Sequence, residues 1–292
     1  MLVELAVGDA YGAGFEFRNL VYVRIFNRLD RHRRPAWTLG KPGCYTDDTQ
    51  MTIAVAEALL SGEPWSPQLV ASHFIETFKR DPRGGYAPRF GRFLRSVDDV
   101  HEFLARIRPD SDRSGAAMRA GPLGVLANVD DVMERAAVQA RVTHDTPGGV
   151  TSAQAAALMA HYFAHRVGAT DGLAEFVSDH VPGDWARPWR GRVSMSGVDC
   201  VRAALTAVST YRSLADLLRG CVAYGGDVDT VATIALAAAS WSVDYTHDLP
   251  AVLIDGLEAG TYGRALLEDL DRQLAALVNR PGCVGGSGVS GV

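Results

Sequence analysis

Two stretches of this chain are too apolar for a surface, and each follows directly on a crowd of oxygen-bearing side chains. Val231 to Trp241, VATIALAAASW, is Ala-rich and uncharged. Met51 to Leu60, MTIAVAEALL, is helix-forming and apolar on nearly every side. A helix without a polar face belongs inside a bundle. Any fold open to this chain must therefore surround both stretches with further helices.

Those further helices are legible. DDVMERAAVQARVTH, TSAQAAALMAHYFAHRV, SLADLLRGCVAY and YGRALLEDLDRQLAALV repeat apolar residues at helical spacing, each behind a plausible cap. Strand-like alternation is almost absent, and no repeat of solenoid type occurs. Three stretches rich in Gly, Pro or Arg interrupt the pattern, at Asp30 to Gly43, Lys79 to Gly91 and Pro182 to Gly197. None is long or biased enough to be a linker between domains. One compact, multi-helix all-α domain over residues 1–280 is expected, with a flexible Gly/Ser-rich tail at 281–292.

A formal net charge of −5 gives no basic footprint of the nucleic-acid-binding kind. Lys41 and Lys79 are the only lysines, and arginine supplies the remaining positive charge; arginine recognition of phosphates would explain this bias, but genome composition explains it better. Cys44, Cys200, Cys221 and Cys283 are scattered without a CxxC pair, as buried or incidental thiols in a reducing compartment are. The N-terminus MLVELAVGDAYG lacks a basic n-region, and no apolar run reaches the ~20 residues of a membrane span. A soluble, cytoplasmic, monomeric protein without a membrane partner is expected.

The chemistry concentrates in a few places. In Thr46-Asp47-Asp48-Thr49 the adjacent carboxylates cannot share a helix face, but at an irregular helix N-terminus both can turn toward one point, where the helix dipole favours them. Taken alone, a helix cap with a charged first turn explains them. In YGGDVDTVATIA, Gly225 and Gly226 free the backbone for positive φ, so that Asp227, Asp229 and Thr230 can converge at the mouth of the buried helix. If the two helices pack side by side, an all-oxygen site results. That donor set suits a hard cation, Mg²⁺ or Mn²⁺, and its clustered charge calls for two ions.

Asp9 and Glu16 stand out in GDAYGAGFEF. They read either as a capped helix with a surface Glu, or with Glu16 at the metal cleft as ligand or acid/base group. SGAAMRAGPLGVL, from Ser114, lets a ligand approach its backbone and offers amides to a phosphate. His144, in ARVTHDTP, reads on its own as a structural or solvent-facing histidine. DVDT lacks the α/β context of a phosphatase nucleophile. Asp130 and Asp131 resemble a prenyl-diphosphate motif whose partner cluster fails in register, and an exposed helix start explains them better. His161 and His165 share a helix face, but the general-base Glu of a zinc protease is missing.

With these residues in order, the chain resembles the ADP-ribosylglycohydrolase family, including the dinitrogenase reductase-activating glycohydrolases. GDAYGAGFEF, YTDDTQM, SGAAMRAGPLG, VTHDTP and GGDVDTVATIA are similar to five family motifs in the family's order. The resemblance implies a compact all-α domain with a dinuclear metal cleft. Thr46, Asp47 and Asp48 would hold one ion, and Asp227 and Thr230 the other, with Asp229 bridging. Glu16, Asp47, Asp48 and Asp229 would be the catalytic set. Ser114, Gly115, Ala116, Met118 and His144 would contact the substrate. The implied reaction is hydrolysis at the anomeric carbon of ADP-ribose, on an ADP-ribosylated protein, nucleic acid or small molecule. Arg113 and Ser114 depart from the family's usual Gly-Asn at these positions. A non-catalytic ADP-ribose-binding or crystallin-like structural member of the same fold is the alternative.

Overall fold

The computed structural model describes residues 1–36 and 41–279; the expected tail at 281–292 lies outside the described residues. Helices occupy most of what is described. The first group is α1 (Leu2–Gly12), α2 (Leu20–Phe26), α3 (Asp47–Leu60), α4 (Pro67–Arg80), α5 (Pro88–Ser96) and α6 (Val100–Arg106). The middle group is α7 (Gly115–Met118), α8 (Val129–Arg141), α9 (Pro147–Ala164), α10 (Leu173–His180) and α11 (Gly197–Thr210). The last is α12 (Leu214–Ala223), α13 (Val228–Ala239), α14 (Ala251–Ile254) and α15 (Arg264–Val278). Among the described residues, strand pairing is limited to isolated bridges such as Val193 with Gly226.

Every helix read from the sequence is present. α13 is buried along its whole length, as an uncharged Ala-rich helix requires. α1, α9, α11 and α12 pack around it, and α3 joins from the side of α1. The approach of α1 to α13 is close enough to need glycine. A Cβ on Gly8 would stand 2.9 Å from the Ala232 backbone, and one on Gly12 would stand 2.5 Å from Asp229 Cα. This contact places the C-terminal end of α1 beside the N-terminal end of α13.

α15 closes the other end of α1. Asp271 accepts hydrogen bonds from the amides of Leu2 (2.7 Å) and Val3 (3.2 Å), so a residue far along the chain caps α1. Such caps contribute about 1 kcal/mol each. The core is one continuous cluster of buried apolar side chains, from Leu2 to Leu274. No described helix is long and apolar enough to cross a membrane. Cys44, Cys200 and Cys221 are free thiols, and the last two are buried.

Candidate active site

The two Asp/Thr clusters meet at the N-termini of α3 and α13, as the packing of two buried helices predicts. They form the floor of a cleft of about 1020 Å³, lined by Glu16, Asp47, Asp48, Asp227, Asp229 and Thr230 among others. That volume is at the upper end for a small-molecule site and accommodates a dinucleotide-sized ligand.

Each acid has a local reason for its position. Gly225 and Gly226 have φ of +70° and +99°, conformations that favour glycine. The turn is tied to the 182–197 loop, since Val193 N donates to Gly225 O (2.9 Å) and Asp227 N to Val193 O (3.3 Å). A side chain at Gly226 would collide with the Val193 carbonyl at 1.9 Å. Glu16 follows α1 in a tight turn whose next amide, Phe17 N, donates to Gly226 O at 3.0 Å. Glu16, Asp227 and Asp229 consequently each bring a carboxylate oxygen within 4.8 Å of the others.

The start of α3 is held differently from a simple cap. Thr46 makes no side-chain cap bond to its own helix. Asp9 of α1, fully buried, accepts from Thr46 N (2.8 Å), Thr46 Oγ1 (2.8 Å), Thr49 N (3.0 Å) and Thr49 Oγ1 (2.6 Å). The sequence marks Asp9 as unusual without showing this role; the signal was an acid in the apolar, glycine-rich stretch GDAYGAGFEF. With the cap supplied by Asp9, Asp47 and Asp48 are released toward the cleft.

The electrostatics there are one-sided. Burial raises the pKa of Asp48 well above the carboxylate range, and Asp47, Asp9 and Asp227 push it further in the same direction. Asp47 is raised well by burial and then by Asp9, and Asp229 by burial and then by Glu16 and Asp227. Asp48 Oδ1 is buried with no hydrogen-bond partner, although Thr230 donates to the carboxylate. Crowded acids with an orphaned buried oxygen fit a hard divalent cation. Asp227 is further oriented by Ser114 Oγ, which donates to Oδ2 at 3.0 Å, and by the Cys200 thiol at 3.5 Å.

The other expected residues are distributed around this floor. Ser114, Gly115, Met118 and His144 line the cleft, whereas Ala116 is buried behind the wall, its carbonyl accepting from Gln139 Nε2 at 2.9 Å. Thr46 is buried beside Asp47, and its hydroxyl gives its proton to Asp9, which leaves oxygen lone pairs for a cation. A loop covers Asp47: a Cβ on Gly85 would stand 1.9 Å from Asp47 Oδ1. That loop is fixed by Arg83, which pairs with Glu258 and with Asp81 (2.5 Å) and lies over the Tyr45 ring at 3.6 Å. Tyr86 Oη adds a bond to Gln50 Oε1 at 2.7 Å.

Sequence reasoning set phosphate recognition by arginine second to genome bias, and so did not locate the rim. Arg89, Arg92, Arg106, Arg108 and Arg113 are exposed and line the cleft, so buried acids below face guanidinium groups above. Between them, Phe90 and Phe93 of α5 stack with centroids 6.2 Å apart and planes at 22°. A ligand with phosphates and an aromatic base matches such a rim. Asp130 and Asp131 lie at the solvent-facing start of α8, away from the cleft lining. His161 is a core histidine whose Nδ1 lies 2.9 Å from Leu126 O.

The chain as a whole is similar to known proteins. The chain is 29% identical over 272 residues to the ADP-ribosyl-[dinitrogen reductase] glycohydrolase of Rhodospirillum rubrum, covering 87% of each. It is 26% identical over 303 residues to the ADP-ribosylhydrolase ARH3 of Bos taurus, covering 82% of each. A solved ADP-ribosylglycohydrolase-related protein complex has a chain of the same fold, with a TM-score of 0.69, 23% identity and 95% of each chain covered. The profile of the ADP-ribosylglycohydrolase family matches residues 1–282, and the chain belongs to that family.

Proposed function

We propose that the protein is a metal-dependent hydrolase that releases ADP-ribose from an ADP-ribosylated acceptor by cleavage at the anomeric carbon. The observation that carries this reading is the meeting of Glu16, Asp227 and Asp229 within 4.8 Å, beside the orphaned Oδ1 of Asp48, at the floor of a cleft with an arginine rim. Thr46, Asp47 and Asp48 would hold one Mg²⁺ or Mn²⁺ ion, and Asp227 and Thr230 a second, with Asp229 between them. Bound there, the ions would orient the ribose hydroxyls and lower the pKa of a water.

The protein's own groups do the rest. Glu16, half-buried at the cleft edge, is placed to move a proton as the glycosidic bond breaks. Ser114 keeps Asp227 in one orientation through its hydroxyl. The rim arginines bind the diphosphate, and the loop carrying Gly85 shields Asp47 from bulk water. Retention of every acidic and threonine position argues against a non-catalytic member of the fold. We read the protein as a monomer in a reducing cytoplasm, where the free thiols of Cys44, Cys200 and Cys221 persist.

The test is ADP-ribose release from an arginine-linked conjugate, a serine-linked peptide and a small-molecule conjugate, with Mg²⁺ or Mn²⁺ and with Asp229→Ala as control. Release from at least one substrate, lost in the variant and in chelator, supports the reading. No release from any conjugate by the metal-loaded protein sinks it.

A further inference from the structure

One buried cation plays no part in the chemistry above. Arg119, just past α7, is 1% exposed and lies over the Phe74 ring at 4.3 Å. Its hydrogen bonds go to neutral acceptors. Nε donates to Gln139 Oε1 (2.6 Å), and Nη2 donates to Gln139 O (3.0 Å) and Thr143 Oγ1 (2.8 Å). A guanidinium only donates, so Thr143 Oγ1 is an acceptor on that side.

The same Oγ1 lies 2.6 Å from His144 Nδ1, and one proton must sit between them. If the ring supplied it, the threonine's own proton would be left without an acceptor at a residue only 5% exposed. Buried hydroxyl donors are rarely orphaned. The arrangement that satisfies every group has Thr143 donating to Nδ1, which leaves the imidazole proton on Nε2. The other edge of the ring abuts Gly115, where a Cβ would stand 2.9 Å from Cε1 and 3.1 Å from Nε2. Thr143, His144 and Gly115 all line the cleft.

We infer that Arg119 and Thr143 form a relay that locks His144 as its neutral Nε2–H tautomer, a fixed hydrogen-bond donor to an oxygen of the ligand. Burial, reinforced by the positive charge of Arg119, lowers the His144 pKa to about 3, which keeps the ring neutral at working pH. His144 is thus a donor and not a general acid or base, while Arg119 and Thr143, which also border the cleft, act through it as positioning residues. The identity of the ligand as ADP-ribose rests on the proposed function; the tautomer does not.

The two parts separate experimentally. Long-range ¹H–¹⁵N spectra of the full chain labelled at histidine, with His144→Gln for assignment, read the tautomer directly. A protonated Nε2 and bare Nδ1 are expected in the wild type. Thr143→Val should give a mixture of tautomers, and Thr143→Ser should restore the wild-type pattern. A wild-type ring protonated at Nδ1, or a Thr143→Val ring unchanged, overturns the relay. The wild-type spectrum decides even if a variant fails to fold.

Calorimetry with ADP-ribose and Mg²⁺-loaded protein should then show roughly tenfold weaker binding for Thr143→Val, the scale of one hydrogen bond, and near wild-type binding for Thr143→Ser. Unchanged affinity beside a shifted tautomer overturns the donor role. A wild type with the expected tautomer and no affinity for ADP-ribose instead contradicts the proposed function and leaves the tautomer standing.

Discussion

Two helices of this protein begin with paired aspartates, and they have opposite fates. At α8, Asn128 caps the helix by accepting from the amides of Asp130 (2.7 Å) and Asp131 (3.4 Å), and the carboxylates face water. At α3 the cap comes from another helix, through Asp9, and Asp48 is buried with one oxygen unpartnered. The local sequences look alike because both satisfy the same dipole. What separates them is the rest of each helix. α8 keeps a polar face, whereas nearly all of α3 is buried. A carboxylate pair on a buried helix has no water to solvate it, so it needs a cation or protons.

The sharpest way to break this contrast is to remove the trans cap. Asp9→Ala orphans two backbone amides and two hydroxyls, and should destabilise the protein by about 4 kcal/mol in urea unfolding. A change below 1 kcal/mol would show that Asp9 does not hold α3. Next in size, Asp48→Asn should lower ADP-ribose release more than about a hundredfold, because even partners outside a metal's direct ligands are worth 10–100-fold. The same variant should raise the melting temperature of metal-free protein at pH 8, since it removes an acid that must there either keep a proton or sit charged among like charges. A lowered melting temperature would contradict the crowding.

The pH dependence follows with its sign fixed. Asp47, Asp48 and Asp229 have raised pKa values, so the metal-free folded state holds protons that the unfolded state has lost. Their contribution is fully present below the unfolded carboxylate value of about 4, and is lost as pH rises through the raised values. Metal-free protein should therefore be less stable at pH 8 than at pH 5, by on the order of 2 kcal/mol. Mg²⁺ should abolish the slope. Urea midpoints at the two pH values, with and without the ion, check this, and a metal-independent slope would contradict it.

Smaller effects are expected at the rim and at α8. Arg92→Ala with Arg108→Ala should raise KM about tenfold, with less salt dependence than the wild type, as loss of phosphate contacts predicts. Equal KM at low and high salt in the wild type would remove the rim from substrate binding. Asp131→Ala should change stability by less than about 0.5 kcal/mol and leave activity intact. An activity loss there would erase the distinction between the two helices.

Sequence and structure agree where the signal is local or carried by a motif. The Ala-rich α13 and the Gly225–Gly226 turn could be read directly, because an uncharged helix must be buried and a double glycine permits positive φ. α5 could not. PRFGRFLRS is rich in arginine and contains Gly91, and its first turn falls in a stretch read as a break, yet Phe90, Phe93 and buried Leu94 anchor it as a helix. Asp9 and Arg119 were equally opaque. Their partners lie 40 and 24 residues away at the farthest, and only tertiary packing brings them together. The Asp47–Asp48 pair gained its meaning the same way, from a cluster that α1 and α13 bring alongside.

The central claim is that this acidic floor works only when cations fill it. Metal-stripped protein titrated with Mn²⁺, with ADP-ribose release followed at each step, tests it most directly. No release without metal is expected, then a rise that saturates at two ions per chain in the wild type and fails in Asp229→Ala. Undiminished release in the presence of chelator would contradict the account.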